Sequence, residues 1–153
     1  MTAWYDSGEK LLEMTLVDGI PHGISTVWDK NGQKRIAILF VRGKREGPYS
    51  DIQNGDLIVG AYHDDNMVGH WRHWESGGKQ LSDANYVDGN FDGLVVVWYH
   101  PQQGGNIAHL QQWDHGIQNG REVLYEPAIQ PDGRLPGKPV TRIRKNGEII
   151  STE

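Results

Sequence analysis

No stretch of the chain repeats its apolar residues at the three-to-four spacing of a helix face. The apolar residues fall instead in short runs rich in β-branched and aromatic side chains, such as Leu94-Val95-Val96-Val97-Trp98-Tyr99. Turn dipeptides separate these runs: Asn31-Gly32, Asn54-Gly55, Asp88-Gly89 and Asn119-Gly120. Gly and Asn tolerate the positive φ that tight hairpin turns require. The pattern therefore predicts β-hairpins joined in sequence into one antiparallel meander.

The hairpins repeat. Gly8, Gly19 and Gly23 form a triplet, and adding 24 to each number gives Gly32, Gly43 and Gly47. Further triplets stand at Gly78, Gly89, Gly93 and at Gly105, Gly116, Gly120. Between them lies a shorter unit with Gly55, Asp65 and Gly69. Two ladders of large side chains keep step with the glycines. Trp28, Ile52, Trp74, Trp98 and Tyr125 follow the third glycine of each unit by five residues. Leu16, Phe40, Tyr62, Tyr86 and Trp113 precede the second glycine position by three. The predicted fold is an all-β, single-layer antiparallel meander of about five to six hairpins in one domain, with repeats near 4–27, 28–51, 52–73, 74–97 and 98–124 and a capping segment at 125–153. Glu126 to Pro139 holds four of the seven prolines and reads as a crossing connection, with a degenerate unit keeping Gly133 and Gly147 and a capping hairpin at Val140–Ile150.

Taking Gly19–Gly23 as a hairpin tip sets Leu16 opposite Thr26 and Met14 opposite Trp28, all on one face. The same construction groups Ile38, Phe40 and Ile52, and then Ala84, Tyr86, Val96 and Trp98. Both ladders are thus expected on a single core face. The opposite face would hold Val17, Leu39, Val41, Tyr49, His63, Trp71, His73, Val87, Val95 and Val97. Apolar and aromatic side chains on a solvated face mark an interaction surface. Its centre is expected at Tyr49, His63, Trp71 and His73, because aromatic residues dominate interface hot spots. Asp64, Asp65, Asp88 and Asp92, with Asp18 and Asp114, flank the turns as an acidic rim, broken by Arg42, Lys44 and Arg45. Such a rim suits a basic partner.

Composition narrows the classes. Fifteen Lys and Arg against 20 Asp and Glu leave a net charge of −5 over 153 residues, which argues against nucleic acid and anionic membranes as partners. Absence of cysteine removes disulfides and thiolate chemistry. No apolar run is long enough to span a bilayer, and no basic-then-apolar leader follows Met1. The expected location is cytoplasmic for the chain as it stands, or periplasmic after loss of a leader. No phosphate loop, nucleophile elbow or dinucleotide fingerprint is present. Asp64-Asp65 and Asp88 with Asp92 read as solvated turn residues rather than an acid–base pair, so no catalytic residue and no cofactor are expected. Among the histidines, His70 and His73 point to opposite faces and His63 shares a face with His73. Two ligands do not make a metal site, and no metal is expected.

The motif Trp28…Gly32…Phe40…Gly43…Gly47, repeated as Trp74…Gly78…Tyr86…Gly89…Gly93, resembles the MORN-repeat variant of bacterial proteins over about residues 4–125. The unit at 52–73 departs from it, with Asp65 in place of the second glycine. The resemblance implies a non-enzymatic antitoxin or immunity protein that occludes a cognate toxin or secreted effector, as a monomer or weak homodimer. A self-associating scaffold and a carbohydrate-binding module are the alternatives.

Overall fold

The computed structural model describes residues 1–128 and 136–153. Every regular element there is a strand, apart from one 3₁₀ turn at Pro101–Gln103. The strands are β1 (Thr2–Trp4), β2 (Lys10–Glu13), β3 (Leu16–Val17), β4 (Ile20–Pro21), β5 (Gly23–Trp28), β6 (Lys34–Val41), β7 (Lys44–Gln53) and β8 (Asp56–His63). They continue as β9 (Asn66–Trp74), β10 (Gln80–Val87), β11 (Asn90–Trp98), β12 (Ile107–Asp114), β13 (Ile117–Leu124), β14 (Val140–Lys145) and β15 (Glu148–Thr152). Thirteen of them pair in chain order into one sheet, and β3 with β4 forms the projecting tip of the first hairpin. All pairings are antiparallel, as the alternation of turns and apolar runs predicts. The capping hairpin is β14–β15; Gly133 and the middle of the proline-rich connection lie outside the described residues.

The hairpin tips are tighter than the glycine spacing suggests, and this reverses half of the face assignment. Each turn has two residues, both with positive φ: Asp18 and Gly19 at 51° and 79°, Arg42 and Gly43 at 51° and 84°, Asp88 and Gly89 at 49° and 79°. Val41 therefore pairs with Lys44 and Phe40 with Arg45. The next glycine, Gly47 at φ 73°, is not part of the turn. It sits in a bulge after which the register moves by two, so that Ile38 meets Tyr49. The same jump recurs at Gly69, Gly93 and Gly120. Thr26 consequently faces Glu13 and Leu16 faces Pro21, rather than each other. An odd error in register flips every side chain of the second strand. The expected grouping is right for the first strand of each hairpin and inverted for the second.

One face, here the front, carries Ile38, Phe40, Tyr62, Ala84, Tyr86 and Trp113, and also Tyr49, Trp71, His73, Val95 and Val97. The back carries Trp28, Ile52, Trp74, Val96 and Trp98, with Leu39, Val41, His63 and Val87. The two ladders are on opposite faces, a correction to the single core face. Burial is concentrated on the front, where Ser25, Ile38, Trp71, Ala84, Val95 and Glu122 are buried along one cross-strand row, while Thr26 and Val123 are buried on the back. Gly60 completes that row opposite Tyr49. A Cβ on Gly60 would overlap the Trp71 ring, so the indole lies directly on the glycine backbone. Gly60→Ala is expected to cost about 1–3 kcal/mol as an overpacking change. An unchanged melting temperature would show that the ring moves aside freely.

Successive hairpins are stapled at their tips. The second turn residue donates its N–H to a carbonyl of the preceding hairpin: Gly43 to Pro21, Asp65 to Arg45, Gly89 to Met67, Gly116 to Phe91 and Gly147 to Gln118. This lines the tips along one edge. Among the described residues the sheet has no second layer: the accessible surface is 9516 Å², against about 7,800 Å² for a compact monomer of this mass. A chain that forgoes this much burial leaves both faces available for contact.

Candidate interaction surfaces

On the front face the aromatic side chains form a continuous run across the sheet. Tyr49 and Tyr62 stand 5.3 and 5.0 Å from Trp71, centroid to centroid, and Tyr86 stands 6.4 Å from it. The run continues through Phe91, 4.7 Å from Tyr86, to Trp113 at 5.1 Å. The Arg45 guanidinium lies 4.1 Å from the Tyr62 centroid. Burial raises the phenol pKa of Tyr49, with Asp51 adding to it, and burial raises that of Tyr86. Trp71, expected as an exposed anchor, is only 8% exposed, and its Nε1 donates to the Ala61 carbonyl at 3.2 Å. It is the packing centre of the sheet.

Of the other residues expected at the centre, Tyr49 packs against Trp71, while the two histidines find other partners. His73 shares the front face and pairs with Asp56 at 3.1 Å. His63 lies on the back, pairs across its own hairpin with Asn66, and contacts Glu46 at 3.0 Å. That hydrogen bond holds the Glu46 carboxyl below its ordinary range, helped by the Asp64 N–H, and raises the His63 imidazole above its own. The expected grouping of His63 with Trp71 and His73 on one face fails for the register reason given above.

The acidic rim is partly neutralised from within. Lys44 pairs with Asp64 at 3.2 Å. Asp65 accepts from the Arg45 backbone N–H at 2.9 Å and from its Nε at 3.0 Å, which lowers the Asp65 pKa. These contacts explain how Asp65 occupies a turn position, φ 72°, that the neighbouring repeats give to glycine. Asp88 has no ion pair among the described residues, while Asp92 and Asp114 meet only His115. The middle of the chain keeps a strong charge bias: residues 51–128 hold eleven Asp and Glu against three Lys and Arg.

The surface that sequence reasoning missed is on the back. The residue after each bulge glycine points outward, giving a row of Ile24, Pro48, His70, Leu94 and Arg121. Ile24 is 65% exposed and Leu94 is 55% exposed. Ile24, Ala37, Leu39 and Pro48 line a shallow hollow of about 310 Å³. Leu94, Leu110, Val123 and Tyr125 line another of about 240 Å³, with Gln112 and Arg121 on its rim. The only sequence signal for this row is position, one residue beyond a glycine that reads as turn. No helix among the described residues is long and apolar enough to cross a membrane. No protein-family model matches the chain, and a search of curated proteins finds no similar sequence.

Proposed function

We propose that this chain is a non-enzymatic, protein-binding repeat protein of the antitoxin or immunity type, which neutralises a toxic effector by covering it. The observation that carries the reading is the exposed back-face Leu94, with Leu110, Val123 and Tyr125 around its hollow, within the strongly acidic middle of the chain. Leu94 and its neighbours supply desolvation area, and the unpaired Asp88 with its neighbours supplies a field that attracts a cationic partner. The hollows are shallow, and the hairpin array offers breadth rather than a cleft, which suits occlusion more than catalysis. The resemblance to MORN-type repeats points the same way.

The partner is sought by co-purification from the native host and then titrated. Leu94→Asp is expected to weaken binding about 30-fold, the equivalent of a hot spot near 2 kcal/mol, with an unchanged circular dichroism spectrum. It should also abolish protection of cells that express the partner. Wild-type affinity in both Leu94→Asp and Ile24→Asp would place the interface elsewhere and defeat the back-face reading.

A further inference from the structure

At the fifth tip, side chains from two successive hairpins converge. Asp92 lies on β11, one residue before the bulge at Gly93. Asp114 ends β12, and His115 opens the turn that follows. His115 Nδ1 lies 2.6 Å from Asp114 Oδ1 and 3.3 Å from Asp92 Oδ2. One ligand atom from each of the three residues lies within 4.8 Å of the other two. The imidazole is 77% exposed, so the cluster opens directly to solvent.

The repeat supplies an internal comparison. The same three positions two units earlier hold Glu46, His63 and Asp64, again a carboxylate–imidazole set. There Lys44 places an ammonium 3.2 Å from Asp64, so the junction already carries a fixed cation. The position equivalent to Lys44 at the fifth tip is Asn90, which brings no charge. No Lys or Arg among the described residues pairs with Asp92 or Asp114. Two carboxylates thus face one imidazole without a fixed cation.

We propose that Asp92, Asp114 and His115 form a binding site for a first-row divalent transition-metal ion such as zinc. Two carboxylate oxygens and one imidazole nitrogen make a three-ligand set that leaves outer positions for water or for a donor from another molecule. The nitrogen donor favours zinc, nickel or copper over magnesium and calcium, which prefer oxygen alone. A bound ion would cross-link two adjacent hairpins at their tips. The site adjoins Leu94, two residues from Asp92 on β11, but ion binding is read without any partner and does not depend on the partner reading.

The test uses the full chain, freed of metal with a chelator and titrated calorimetrically with zinc chloride. One ion per chain is expected, with affinity at least tenfold weaker in Asp92→Asn and in His115→Asn. Asn suits this turn position, as Asn146 shows at φ 52°, so His115→Asn should keep the fold, checked by its melting temperature. His63→Asn should leave zinc affinity unchanged, and magnesium chloride should give at least tenfold weaker binding. Absence of zinc binding, or binding that survives both Asp92→Asn and His115→Asn, would overturn the proposal. So would an equal loss in His63→Asn, which would assign the ion to the other junction.

Discussion

Trp71→Ala is expected to lower stability by about 3–5 kcal/mol, the range for removing a large aromatic side chain from a core. The indole touches both neighbouring hairpins through Tyr49 and Tyr86, packs on Tyr62 of its own hairpin, and covers Gly60. Its Nε1 hydrogen bond to Ala61 ties β9 to β8. In a one-layer sheet no opposing layer can relax into the cavity, so solvent would reach the backbone of the central strands. A repeat array also depends on contacts between neighbours, and loss of the middle contact weakens the coupling between its two halves. Urea unfolding followed by intrinsic fluorescence and by circular dichroism should show a lower midpoint. A midpoint within error of wild type would demote the ring to surface decoration and reopen the front face as a site for a partner.

The contrast between Trp71 and Leu94 shows what was legible in the sequence. Strands, hairpin order and repeat period follow from local chemistry: glycine at positive φ, Asn-Gly turns and β-branched runs. Which face a second-strand residue occupies depends on the register, and the register depends on whether a Gly-x-x-x-Gly segment is one wide turn or a tight turn followed by a bulge. Both readings satisfy the same glycines. The two-residue turn prevails because both its residues adopt the left-handed φ that matches strand twist. The second glycine then absorbs the mismatch, as Gly47 does at φ 73°. Trp71 moved inward on that account, and His63 was separated from it. The exposed row at Ile24 and Leu94 stayed hidden because an apolar residue beside a turn glycine looks like any other strand residue. The ion pairs of Asp64 and Asp65 with Lys44 and Arg45 cross between hairpins, and no local pattern announces them.

Glu122 is the clearest case of a long-range feature with a large expected effect. Its side chain is 4% exposed, on the front face of β13. Arg144 Nε donates to Oε2 at 2.9 Å, and Gln118 and Gln111 donate to Oε1 at 3.2 and 3.4 Å. His109 Nε2 adds a contact at 3.1 Å. One carboxylate thereby joins β12, β13 and the capping strand β14. Burial alone would raise its pKa; the Arg144 hydrogen bond, followed by those of Gln118, His109 and Gln111, outweighs burial and lowers it from 4.5 to about 2. A depressed pKa contributes stability that is fully present above the unfolded-state value and is lost as pH falls through the folded one. The shift corresponds to something on the order of 3 kcal/mol. Glu122→Gln keeps the shape, removes the charge and leaves Arg144 without its counter-ion, so it should cost about 3 kcal/mol near neutral pH. The melting temperatures of wild type and variant should then converge as pH is lowered from 4.5 towards 2, because protonation turns the wild-type carboxylate into a neutral group. A gap that stays constant over that window would mean that the variant acts through packing, and that the charge at Glu122 does not hold the C-terminal hairpin to the sheet.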